Sequence, residues 1–155
     1  MKKYELTEET VTVYGKTLYR IRAVRDFGSV KTGEFGGYIE KEENLSHFGD
    51  AWVSGDAKVY GNARVSGNAW VYGNAEVFNT RHFFVQGPIG SRDGYVTFYR
   101  TKDDTVEVRC GCFSGSLQEF VNQVEETHGG SRYEKEYKLA AELAKVCIRL
   151  EGESR

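Results

Sequence analysis

The sequence predicts a β-solenoid, a short coil of stacked parallel strands, with an N-terminal β-hairpin before it and a C-terminal α+β unit of order β-β-β-α-α after it. Three observations predict this. Residues 49–79 repeat a six-residue unit, two β-rich runs flank Tyr14-Gly15-Lys16, and two helix-capping signals follow three strand-like runs beyond residue 82. The implied boundaries are 1–26 for the hairpin, 27–82 for the repeat, 83–150 for the α+β unit and 151–155 for a frayed tail.

The repeat begins Gly49-Asp50-Ala51-Trp52-Val53-Ser54 and keeps Gly, Asp or Asn, Ala and Val at fixed places through Asn79. Ala and Val lie two apart, so on an extended strand both point to one side and the residue between them points away. Small and β-branched side chains therefore face inward. Gly followed by Asp or Asn suits a corner with positive φ. Strands this short, recurring at this spacing, read as stacked coils and not as a sheet of hairpins.

On these residues the stretch resembles the hexapeptide-repeat family. The resemblance implies a left-handed parallel β-helix with three hexads per triangular coil, here about two to three coils. It stacks residues eighteen apart, Trp52 beneath Trp70, Lys58 beneath Glu76 and Tyr60 beneath Phe78. An outward ladder of Trp52 and Trp70, extended by Tyr60 and Phe78, is expected to be a contact between copies or to be covered by the chain's own terminal segments. The family's habit makes a homo-oligomer, and a trimer in particular, the expected state.

At 155 residues the chain fits one domain or two small units. A net charge of -2 and a pI near 6.0 argue against nonspecific nucleic-acid binding, which needs concentrated Lys and Arg. The opening Met-Lys-Lys-Tyr-Glu-Leu has no apolar run for a signal peptide, and no segment reaches membrane-spanning length. Cys110, Cys112 and Cys147 read as reduced thiols, so the expected location is the cytoplasm.

Residues 10–13 and 17–24 read as the hairpin strands. Arg20, Arg22 and Arg25 form a basic series that reads as a solvated strand face. Counting back by sixes from Ala51 reaches Leu45 and Ile39, so degenerate hexads lead into the repeat and large apolar residues plug its end. His47, in that lead-in, reads as a satisfied structural histidine.

Beyond the repeat, residues 83–86, 95–101 and 105–110 are strand candidates. Ser116 with Glu119 and Ser131 with Glu134 are capping boxes for two helices, the first ended by His128-Gly129-Gly130 and the second running to about residue 150. Leu117, Phe120, Val121 and Val124 make one buried stripe, and Tyr133, Tyr137, Ala140, Ala141, Ala144 and Ile148 the other. Gly87-Pro88-Ile89-Gly90-Ser91-Arg92, Thr97-Phe98-Tyr99-Arg100 and Cys110-Gly111-Cys112-Phe113 resemble a small domain of bacteriophage and prophage proteins. That resemblance implies a phage origin, with a bacterial host cytoplasm as the location, and no particular reaction.

Candidate chemistry gathers in this unit. Gly87, Gly90 and Ser91 can turn backbone N–H groups toward an anion, and Arg92 supplies a bidentate cation. Arg100 and Lys102 follow on the next strand, Tyr95 and Tyr99 offer stacking surfaces, and Ser114-Gly115-Ser116 presents the amino end of a helix. Cys110 and Cys112 share a strand face but have no second pair at zinc spacing, so they read as buried thiols, and no metal or other cofactor is expected.

The function expected is binding: an oligomer that captures a small anionic or nucleotide-like ligand, or a host protein, without turning it over, with counter-defence as the phage-type role. An acyltransferase using His47 or His82 as base is the enzymatic alternative, although the coils are few and no long inserted loop is present. An assembly scaffold is the third reading.

Overall fold

The computed structural model describes residues 2–152, which form two compact units meeting at residues 80 and 81. In the first unit, β1 (Tyr4–Val13) and β2 (Lys16–Ala23) make an antiparallel hairpin around Tyr14 and Gly15, both at positive φ. Next come β3 (Phe35–Ile39), β4 (Trp52–Val53), β5 (Lys58–Val59), β6 (Trp70–Val71) and β7 (Glu76–Val77).

The described residues do not form the expected left-handed parallel β-helix or any other solenoid. Its largest sheet is mixed, in the order β1-β2-β3-β5-β7, antiparallel from β1 to β3 and parallel only from β3 onward, while β4 and β6 stand apart as a two-stranded pair. The reason lies in strand length. A Gly-Asp or Gly-Asn corner interrupts the chain at every sixth residue, so each repeat strand is two residues long, and the long N-terminal hairpin supplies most of the sheet.

Local features of the repeat do appear. Ala51, Ala57, Ala63, Ala69 and Ala75 are buried, as are Val53, Val59, Val65, Val71 and Val77. Parallel pairing joins Trp52 to Trp70 and Lys58 to Glu76. The hexad glycines take positive φ, as a corner requires. Burying one Val contributes about 1.5 kcal/mol, whereas a glycine's extra backbone freedom costs roughly 0.5–1 kcal/mol, so each hexad gains on balance. In the lead-in the offset is longer: Ile39 pairs with Val59 and Leu45 with Val65, so these residues match the Val and not the Ala places.

Two glycines seat β3 against the repeat. A Cβ on Gly36 would lie 2.5 Å from the Val53 carbonyl oxygen, and one on Gly37 2.5 Å from that of Ala57. Trp52 is fully buried beneath the chain's own N-terminal residues, edge-on to Phe27 with ring centroids 5.1 Å apart. Tyr60 is buried too, stacked on Phe78 at 5.2 Å with its hydroxyl donating to Glu76. The fully buried Lys3 donates its amine to the Ala51 carbonyl at 2.6 Å, and Asn44 donates to that of Ala63 at 2.9 Å.

The second unit is β8 (Phe83–Ile89), β9 (Gly94–Arg100), β10 (Val106–Cys110), β11 (Phe113–Ser116), α1 (Leu117–His128) and α2 (Arg132–Cys147). Its sheet is an antiparallel meander in the order β11-β10-β9-β8, so the unit is β-β-β-β-α-α with one strand more than expected. Both helices pack on the face carrying Val96, Phe98 and Val108, with Phe120, Val124, Ala140, Ala141, Ala144 and Ile148 completing the core. Helix α2 ends at Cys147, and Ile148 leaves in extended conformation.

The Ser116 capping box is present in full. The one expected at Ser131 is not, because Glu134 accepts instead from the Gly130 N–H at 3.0 Å and the Ser131 hydroxyl donates to the His128 carbonyl. Of the tail read as frayed, Glu151 and Gly152 both donate N–H groups to Asp104, and 153–155 lie outside the described residues.

A candidate ligand cleft in the C-terminal unit

The β8–β9 hairpin turns through Gly90 and Asp93, both at positive φ. A methyl at Gly90 would collide with the Tyr137 hydroxyl, so glycine lets the turn rest on α2. A Cβ on Gly87 would collide with Tyr95 Cδ2 and lie 2.6 Å from the Gly94 carbonyl oxygen, so glycine is needed there too. The β10–β11 hairpin turns through Gly111 and Cys112, opposite this first turn.

Between the two turns and the helices lies a surface cleft of about 510 Å³. Its floor is aromatic. Phe120 stands edge-on to Tyr137 at 5.7 Å and tilted to Phe113 at 5.7 Å, and His128 lies 5.6 Å from Tyr137. Ser91, Arg92 and Tyr95 form one rim, and Gln123 and Thr127 another.

Electrostatics follow from this packing. Cys110 and Tyr137 lie close enough to influence one another, and burial pushes both above their ordinary pKa values. Arg92 is exposed at the mouth, close enough for its charge to oppose the rise at Tyr137. It has no carboxylate partner among the described residues.

Of the residues expected to bind a ligand, Ser91, Arg92 and Tyr95 meet at this cleft, and Gly87 and Gly90 shape it from behind. The Gly90 N–H already donates to Glu136 at 2.7 Å. Tyr99 is fully buried, and Arg100 is buried with its Nε donating to Asp104 at 2.9 Å. Lys102 is exposed in the β9–β10 turn. Ser114 and Gly115 lie on β11, and the Ser116 N–H is taken by Glu119 at 2.8 Å, so that helix end is satisfied by the chain's own carboxylate.

Sequence reasoning did not join Phe113, Phe120, Gln123, Thr127, His128 and Tyr137 into one site. The one available signal is the Gly111-Cys112 turn, which brings β11 back beside β10; Cys112, expected as a buried thiol sharing a strand face with Cys110, is exposed in that turn, because β10 ends at Cys110.

Elsewhere the candidate groups are committed. His47 accepts from the Lys3 N–H at Nδ1 and holds Glu42 at Nε2, with Tyr4 stacked on its ring at 4.1 Å. Arg20 donates to Glu9 and to the Gly36 carbonyl, Arg22 pairs with Glu5, and Arg25 donates to the His47 carbonyl. Among the described residues no group of three or more His, Cys, Asp or Glu is placed to hold a metal, and no helix is long and apolar enough to cross a membrane.

No family model matches the chain, and no curated protein matches it. The resemblances to hexapeptide-repeat proteins and to phage proteins are therefore set aside: the two larger sheets are mixed and antiparallel, parallel pairing is confined to short strands that build no solenoid, and no relative carries a phage origin.

Proposed function

We propose that the protein is a binding module whose C-terminal unit captures a small planar anion of nucleotide type without turning it over. The observation that carries this reading is an exposed arginine, Arg92, at the mouth of a cleft floored by Phe113, Phe120 and Tyr137. Aromatic rings take a planar heterocycle, and a guanidinium takes phosphate or carboxylate in bidentate fashion. Gln123, Thr127 and Ser91 supply neutral hydrogen bonds at the rim. The cytoplasm suits a module with three free thiols.

Native mass spectrometry of protein purified from a bacterial cytosol tests this, since it reports a retained ligand and counts subunits against the expected trimer. Titration calorimetry with mononucleotides and cyclic dinucleotides follows. Arg92→Ala is expected to weaken binding about 10- to 100-fold, the worth of one charge-assisted contact, while Lys102→Ala leaves it unchanged. A bare protein giving no heat with any of these anions would overturn the reading.

A further inference from the structure

Anion capture leaves one feature of the cleft wall unused. Cys110 ends β10 directly across from Phe113 on β11, and Gly111, at φ +58, and Cys112 make the reversal between them. Residues two apart are separated by at most about 7 Å, and by less in a turn, within reach of the roughly 4.4–6.8 Å Cα separation that a disulfide spans. Both cysteines are free thiols lining the same cleft. Cys112 is exposed, whereas Cys110 is half-buried behind it against Tyr137.

We propose that Cys110-Gly111-Cys112 is a thiol–disulfide exchange site that accepts low-molecular-weight disulfides of the glutathione class. Exposure assigns the roles, Cys112 attacking and Cys110 resolving. The Cys112 thiolate bonds to one sulfur of the small disulfide, whose S–S bond breaks, and the departing small thiolate takes up the proton that Cys112 gave up. Cys110 then loses its proton and attacks the Cys112 sulfur. The mixed disulfide breaks, and the second small thiol leaves with that proton. Two protein thiols are oxidised to one disulfide, and one small disulfide is reduced to two thiols. Burial raises the Cys110 thiol pKa, which keeps this thiol protonated and silent until a mixed disulfide forms beside it. The site stands whether or not Arg92 captures an anion.

The test is incubation of the reduced full-length protein with excess glutathione disulfide, followed by alkylation, intact mass measurement and peptide mapping. The wild type is expected to lose two hydrogens, with the cross-link mapped to Cys110 and Cys112. Cys110→Ser should stop at a glutathione adduct on Cys112, and Cys112→Ser should react about tenfold more slowly at Cys110. Cys147→Ser should behave as wild type. Circular dichroism confirms that each serine variant is folded, and the wild-type map decides alone if one is not. A lasting glutathione adduct on wild-type Cys112, a cross-link between chains, reaction centred on Cys147, or no reaction would each overturn the proposal.

Discussion

His82 carries a cost that depends on acidity. Burial, and then repulsion from Arg100, lowers its pKa from 6.5 to about 4, with Asp104 opposing the shift. A histidine in the unfolded chain keeps its ordinary value, so below pH 6.5 the unfolded state takes up a proton that the folded state refuses. The contribution of the neutral ring is therefore whole above pH 6.5 and is lost as pH falls toward 4, amounting to about 3 kcal/mol at most. Urea unfolding of wild type and His82→Gln across that range should show their stability difference shrinking or reversing as pH falls. A difference that stays constant would mean that His82 titrates normally. Lys3 follows the same rule at the other end of the scale, its pKa brought from 10.5 to about 8 by burial and then by Arg25, so that its burial costs least above pH 10.5.

Among the elements, the two helix starts look alike in sequence and differ in structure. Ser116 and Glu119 exchange both hydrogen bonds of a capping box, at 3.1 and 2.8 Å, whereas Ser131 has no side-chain cap bond because Glu134 reaches past it to Gly130. Ser116→Ala should therefore destabilise by about 1 kcal/mol, and Ser131→Ala by less than about 0.5 kcal/mol, both read from chemical denaturation midpoints. Equal effects would show that the bonding pattern does not set the energetics. The fourth strand shows why sequence alone stopped short. Phe113-Ser114-Gly115-Ser116 is poor in β-formers and adjoins a helix cap, so nothing local marks it, and it exists because β10 offers an unpaired edge to a chain that has just turned at Gly111 and Cys112.

For the molecule as a whole, what the sequence made legible was local and what it hid was long-range. The inward Ala and Val set, the glycine corners, the hairpin at Tyr14, both helices and their buried stripes all follow from spacing within a few residues. How the short repeat strands would be sheeted did not follow, because β3, whose Tyr38 and Ile39 pair with Lys58 and Val59 of β5, joins β5 and β7 to an antiparallel hairpin and makes a mixed sheet. Trp52 was legible as a stacked position, but spacing left open whether a second copy or the chain's own segments cover it; the structure sets Phe27, from the lead-in before the regular hexads, edge-on against it. The cleft was least legible of all. Arg92, Cys110, Phe120 and Tyr137 come from four separate elements, and only the packing of two helices on a meander brings them together. Arg92 is the member of that group that local sequence singles out, because it sits in a turn between Gly90 and Gly94.

Gly36 and Gly37 carry a consequence for how this chain can vary over generations. Each sits where any side chain would press into a backbone oxygen of the repeat, that of Val53 or of Ala57, and a backbone oxygen cannot rotate out of the way as a side chain can. Every missense codon change at these two positions adds at least a methyl group. A saturation library selected for folded protein should therefore lose nearly all missense variants at 36 and 37 while retaining many at the exposed Phe35 beside them. Recovery of alanine at Gly36 or Gly37 at the frequency seen for Phe35 would show that the strand has room to move.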